Sequence, residues 1–227
     1  VQGHLTRLSP GNKARIERSL SPATIEEKSW DLVYALYQFM QDERNFKSYA
    51  AGGVLIAKRT VDEIFDDGTL SGCHDWGIVL AAMLRAFGIP AVYVDAVSVP
   101  WATRRIAGAT NQVFEGHIFI EAWIGQRWVL LNSIAPEVIL DYDRNDGLID
   151  FPVAASDRFY IMFKGLDPVD FGVRSREDLK AAMLRSTEAA AASARSPKTS
   201  APAVSIRRLL TWPERGLQWE KVFVPYL

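Results

Sequence analysis

The chain has 227 residues, 48% of them hydrophobic and 23% charged, with a formal net charge of −1 at pH 7. These are the proportions of an ordinary globular protein, and the balanced charge gives no electrostatic footprint for nucleic acid or an anionic membrane surface. No apolar run approaches the length needed to span a bilayer, and no repeat period is present. Cys73 is the only cysteine, which rules out an internal disulfide and a multi-cysteine metal site. The sequence opens on Val1 and not on methionine. We read it as a processed, exported chain of bacterial type, periplasmic or secreted, in preference to a cytoplasmic one.

In chain order, the first elements are helical. Lys13 to Leu20 predicts a short helix, and Ser21-Pro22 is an N-cap followed by proline at the first helical position. From Ala23 to about Arg44 the residues Ile25, Trp30, Val33, Tyr34, Tyr37 and Met40 keep a helical step. Ala50-Ala51-Gly52-Gly53 interrupts it, and Val54 to Ala57 reads as either a strand or a docked loop. Thr60-Val61-Asp62-Glu63 carries the capping-box signature, predicting a helix over Val61 to Phe65.

Ser71-Gly72-Cys73-His74-Asp75-Trp76 opens the next helix. Trp76, Val79, Leu80, Met83, Leu84 and Phe87 recur at three- and four-residue steps, and Gly88-Ile89-Pro90 stops it. Ala91 to Val97 predicts a strand. Ser98 to Gly116, with Trp101, Arg104 and Arg105, reads as a long irregular connection. His117 to Ile124 and Arg127 to about Ile134 are two apolar runs around Gly125-Gln126, a pair suited to a type II′ hairpin. Further strands are expected at Arg158 to Lys164 and Lys221 to Val224, and a helix from Ser175 to near Ala192. Ser193 to Ser205 reads as a loose arm, and Trp212 and Trp219 suggest a tail docked on the body.

Cys73 lies in the first turn of its helix, where unpaired N–H groups and the dipole favour a thiolate. A base must come from the three histidines, His4, His74 and His117. His74 is about 100° round the helix from Cys73, so it is read as exposed or structural. A two-residue turn pairs Ile124 with Arg127, hence Phe119 with Asn132 and His117 with Ile134. Asn132 is then the diagonal neighbour of His117 on the same face, able to hold one ring nitrogen while the other faces the thiol. The Trp123–Trp128 pair nearer the turn reads as sheet packing.

Gly72-Cys73-His74-Asp75 with Leu80 to Ala91, then Gly116-His117 with Glu121-Ala122-Trp123, then Trp128-Val129-Leu130-Leu131-Asn132, resemble the cysteine, histidine and third-residue blocks of the transglutaminase-like superfamily. The likeness covers about Thr60 to Ile134. It implies an α+β, papain-like fold with N-terminal helices and the cysteine helix packed on an antiparallel sheet. Cys73 would be the nucleophile, His117 the base and Asn132 the orienting residue, although the family usually has aspartate there. Asp75, also a family position, is expected to serve the helix start.

The expected division is a catalytic domain over 1–170, with core motifs in 60–134, and an appended helix, arm and tail over 171–227. The expected activity is thiol attack on amide or isopeptide bonds of a peptide or protein substrate, resolved by hydrolysis, with no cofactor and no metal. The alternatives are an amine-using transglutaminase and a non-catalytic binding module on the same fold. The Cys73 backbone N–H is a natural oxyanion donor, and Trp30, Gln38 and Tyr49 are candidates for a second. Asp141 to Gly147 resembles the start of a calcium loop, but Asp146 stands where glycine is needed and Pro152 where a bidentate glutamate is needed. A solvated acidic turn is expected there.

Overall fold

In the computed structural model the described residues are 2–27, 30–49, 54–110, 112–153, 156–197 and 203–211. Three helices come first: α1 (Pro10–Glu17), α2 (Pro22–Glu27) and α3 (Trp30–Gln41). Ser9 caps α1 by accepting the Asn12 N–H, with Pro10 in the first turn. α3 buries Leu32, Val33, Leu36, Tyr37, Phe39 and Met40, which identifies the core-facing side of its helical period. The two-residue strand β1 (Lys47–Ser48) pairs in parallel with β2 (Thr69–Leu70), and between them Val54 to Ala57 is turn.

α4 (Val61–Asp67) has both halves of the capping box. Thr60 accepts the Glu63 N–H, the Glu63 side chain accepts the Thr60 N–H, and Gly68 ends the helix in the left-handed region. α5 (Cys73–Ala86) follows and buries Ile78 to Leu84 without a gap.

β3 (Ala91–Ser98), β4 (Gly116–Ile124), β5 (Arg127–Asn132), β6 (Glu137–Ile139), β7 (Leu148–Val153), β8 (Ser156–Gly165) and β9 (Val204–Ser205) form one antiparallel sheet in the order β7-β8-β3-β4-β5-β6-β9. Its two faces are separated by strand alternation. Tyr93, Ile118, Ile120, Ala122 and Leu131 join the large core beneath α3, α4 and α5. Val94, Ala96, Phe119 and Leu130 meet Ile149, Phe151 and Phe159 in a second core around which the sheet curls. The fold is therefore the α+β, papain-like arrangement, with the cysteine helix on the sheet.

Several local expectations are corrected. The stretch after β3 is not irregular throughout, because it contains α6 (Val99–Ile106), capped by Ser98 Oγ at 3.1 Å from the Trp101 N–H, with Pro100 in the first turn. Gly125 and Gln126 have φ of 58° and 64°, so the hairpin turn is type I′ and not II′. The ladder of the hairpin runs from Ile124↔Arg127 to Phe119↔Asn132 and ends there, so His117 is not paired with Ile134. Instead His117 pairs with Ala96 of β3.

Later in the chain, α7 (Arg176–Ala192) packs on α6, and α8 (Ile206–Thr211) packs on α3. The stretch after α7 is not loose throughout. A 3-10 turn covers Ser193–Arg195 and β9 pairs with β6. Short 3-10 structure also spans Pro168–Phe171. The expected strand at Lys221 to Val224 and the docking of Trp212 and Trp219 lie outside the described residues.

Candidate active site

Cys73 is placed by three features of its neighbourhood. Gly72 precedes it at φ 100°, a conformation that a Cβ would strain, and turns the chain from β2 into α5. No side chain caps the helix start. Asp75 secures it from inside, its Oδ2 accepting from Ser71 N (2.8 Å), Ser71 Oγ (2.6 Å) and the Arg59 guanidinium. Arg59 is itself held by Asp67 at 2.8 Å and Thr69 Oγ1 at 3.0 Å. The expected service of Asp75 to the helix start is thus the one observed.

The third feature is Gly77, one turn after Cys73. A Cβ there would lie 2.4 Å from Ile118 Cγ2 and 2.9 Å from Tyr93 Cε2. The bare glycine lets α5 settle onto β3 and β4. At half-buried Cys73 the backbone N–H groups of Ile118, the residue next to His117, of Cys73 itself and of His74 favour the thiolate. Gly116 repeats the device within the sheet, since a Cβ there would meet the Ala96 carbonyl oxygen at 2.8 Å.

His117 is buried, edge-on to Phe119 with ring centroids 4.8 Å apart. Its Nε2 is 2.8 Å from Asn132 Oδ1. Oδ1 also accepts the Ile134 N–H at 3.2 Å, while Asn132 Nδ2 donates to Glu137 Oε2 at 2.9 Å. The hydroxyl of fully buried Tyr37 on α3 donates to the Asn132 carbonyl. His117 and Asn132 are thus joined where β4 begins and β5 ends, and Cys73 opens α5, which packs on β4. Nδ1 is the ring nitrogen that Asn132 leaves unbonded.

His74 does not share that arrangement. It is buried, not exposed: its Nδ1 meets Tyr93 OH at 3.0 Å, and its Nε2 lies 4.0 Å from Asp95 Oδ2. Tyr93 and Asp95 sit on the helix-facing side of β3, at the residues paired with Ile120 and Ile118. Asp95 Oδ2 is buried with no hydrogen-bond partner, and a bulge in the pairing with β8 falls between Asp95 and Ala96.

Burial decides the protonation of this region. It pushes the Asp95 carboxyl up to about 8 and both His74 and His117 down to about 4, the Asn132 bond opposing the shift for His117. Burial, with the Asp95 charge second, pushes the Cys73 thiol up to about 12, against the three backbone N–H groups that favour the thiolate. The expected preformed thiolate is thus overridden, because loss of hydration outweighs the helix N-terminus. Thiol and imidazole therefore both rest neutral near pH 7.

Tyr37, Gly77, Asp95 and Glu137 were not singled out by sequence reasoning. Of the oxyanion candidates, Gln38 and Tyr49 are exposed and Trp30 is the first residue of α3. In the Asp141 to Gly147 turn, Asp143 Oδ1 accepts the Asn145 N–H and Asp146 Oδ1 the Leu148 N–H, so these carboxylates close their own loop. A cavity of about 640 Å³ is lined there by Trp128, Tyr142, Arg144 and Lys164. Arg144 and Lys164 are paired with buried Glu121, and Trp128 is four residues along β5 from Asn132, or about 13 Å, so the cavity is remote from Cys73.

Among the described residues no group of three or more His, Cys, Asp or Glu is arranged to hold a metal ion, and no helix is long and apolar enough to cross a membrane. The family model of the transglutaminase-like superfamily matches residues 18–133. No curated protein matches the chain. Similar solved structures include a candidate cysteine protease from Cytophaga hutchinsonii, 15% identical with a TM-score of 0.38 over 76% of this chain and 53% of that one. LapG of Legionella pneumophila, in an EGTA-treated form, is 14% identical with a TM-score of 0.39 over 79% of this chain and 98% of its own. The chain spans about half the length of the Cytophaga protein.

Proposed function

The chain belongs to the transglutaminase-like superfamily, and from that premise we propose that it is a cysteine-dependent enzyme acting on amide or isopeptide bonds of a peptide or protein. Cys73 is the nucleophile, His117 the general base and Asn132 the residue that orients it. The observation that carries this reading is the convergence of two contacts at the start of β4. The Ile118 N–H favours the Cys73 thiolate, while the neighbouring His117 ring is held by Asn132 at 2.8 Å.

Because both partners rest neutral, the proton leaves the thiol for His117 Nδ1 as the sulfur bonds to the carbonyl carbon. The carbonyl electron pair moves onto oxygen, where the Cys73 N–H is a donor. The imidazolium then protonates the departing amine, leaving an acyl-enzyme. Water, deprotonated by the same ring, attacks the thioester, and the thiol is regenerated. Hydrolysis is the expected outcome, since Cys73 keeps contact with solvent and water competes for an acyl-enzyme unless excluded. Residues 1–170 form the catalytic unit in this reading, with 171–227 appended to it.

The test is mass spectrometry of the protein incubated with a library of amide, isopeptide and activated ester donors, with and without added amine. An acyl adduct on Cys73 that turns over in water supports the hydrolase. Turnover only with amine indicates a transglutaminase. If no donor acylates Cys73, a binding module on the same fold is the better reading.

A further inference from the structure

We propose that Glu137 is a positioning residue of this site, a carboxylate one step behind Asn132 that fixes the asparagine amide and supplies the negative charge that an aspartate at 132 would carry. The inference rests on the catalytic reading above for its consequence in turnover, but not for its geometry. Three contacts surround the Asn132 amide. The Ile134 N–H can only donate, so the atom 3.2 Å from it must be the amide oxygen. Glu137 Oε2, 2.9 Å from the other end, is a carboxylate acceptor and so must face the amide nitrogen. The amide therefore has one orientation, and Oδ1 is the atom presented to His117 Nε2 at 2.8 Å.

That in turn fixes the imidazole. An oxygen can only accept, so Nε2 carries the hydrogen and Nδ1 carries the lone pair, as a base facing a thiol requires. When the ring takes the second proton, its new charge is felt through the polarised amide by Glu137. The chain His117–Asn132–Glu137 does the work of a histidine–aspartate pair with the charge displaced by one side chain. Glu137 can occupy this place because it opens β6, pairs with Ser205 of β9, and has its N–H bonded to the Ala135 carbonyl at 2.7 Å. Tyr37 holds the backbone of the same residue, donating to the Asn132 main-chain carbonyl.

The experiment compares wild type with Glu137→Gln, Glu137→Ala, Asn132→Asp and the exchange Asn132→Asp/Glu137→Gln, folding being checked by thermal denaturation. The readouts are the pH profile of Cys73 alkylation by iodoacetamide and the tautomer of His117 from imidazole ¹⁵N NMR. The carboxylate acts through one intervening amide, so Glu137→Gln is expected to move the alkylation profile up by about one pH unit and slow acyl transfer about tenfold. Glu137→Ala releases the amide, and the pure Nε2–H tautomer is expected to become a mixture. Asn132→Asp alone sets two carboxylates side by side that must share a proton, so it is expected not to improve the profile. The exchange variant is expected to recover it. Wild-type tautomer and profile in both Glu137 variants would overturn the proposal, as would a fully active Asn132→Asp single variant. The NMR readout needs no turnover: if Cys73 is never acylated but the tautomer follows Glu137, the positioning role stands and the catalytic reading fails.

Discussion

Gly77→Ala probes how the helix is seated. The new methyl would stand 2.4 Å from Ile118 Cγ2 and 2.9 Å from Tyr93 Cε2, both fully buried. An ordinary carbon–carbon contact is about 3.5–4.0 Å, so α5 must retreat from the sheet by about 1 Å at this point. Overpacking of this kind costs about 1–3 kcal/mol, and the gain in helix propensity from glycine to alanine returns about 1 kcal/mol. The net loss is then at most about 2 kcal/mol, or a fall of about 4–8 °C in Tm for a domain of this size. Cys73 lies one turn away on the same rigid helix and moves with it. A misplacement of about 1 Å costs on the order of 100-fold in rate, so function should fall far more than stability. Thermal denaturation measured beside the rate of Cys73 alkylation separates the two. A variant that melts at or above the wild-type temperature with wild-type Cys73 reactivity would refute the claim that the bare Gly77 seats the thiol.

The buried titratable groups predict an unusual pH–stability curve. From about pH 4 to 6.5 the unfolded chain binds two protons more on His74 and His117 and one fewer on Asp95, so stability rises with pH. From about 6.5 to 8 only the Asp95 difference remains, and stability falls by about 2 kcal/mol. Denaturant titrations should therefore peak near pH 6.5, and Asp95→Asn should flatten the alkaline fall and speed alkylation of Cys73 above pH 8; an unchanged curve contradicts the assignment. Asp75→Ala leaves the buried Arg59 charge without its inner partner and is expected to cost about 3 kcal/mol. Asp67→Ala removes a partner whose side chain is 54% exposed and should cost less than about 1 kcal/mol. Equal losses at the two positions in denaturant unfolding would refute this ranking.

Much of the architecture was legible where local signals agreed. Thr60 and Glu63 announced α4, and the apolar period from Trp76 to Phe87 announced α5, because capping and periodicity are short-range properties. α6 was missed although Ser98-Val99-Pro100 is an N-cap with proline behind it and Val99, Ala102 and Ile106 keep a helical step, because a helix of two turns gives that period little length in which to show. β7 was hidden by Pro152, which lies exposed at the irregularity in its pairing with β8. At the site, the single cysteine and a two-residue turn sufficed to bring Cys73, His117 and Asn132 into one reading. The turn type was misread, yet I′ and II′ turns of equal length give the same register. Glu137 was invisible because its bond to Asn132 depends on β6 folding back across the sheet. Asp95 sat within an apolar strand whose burial, and hence whose protonation, only the packing of α5 decides. The same packing reverses the expected thiolate at the helix start.

Whether His117 draws the proton from Cys73 is read from the pH dependence of Cys73 alkylation in wild type and His117→Ala. Burial alone would hold the thiol unreactive until the pH nears about 12. Wild-type Cys73 is expected to react with iodoacetamide near neutral pH, and His117→Ala to be about 100-fold slower at pH 7 and to recover only in strong alkali. A wild-type thiol inert below pH 10, or one whose profile is the same without His117, would contradict it.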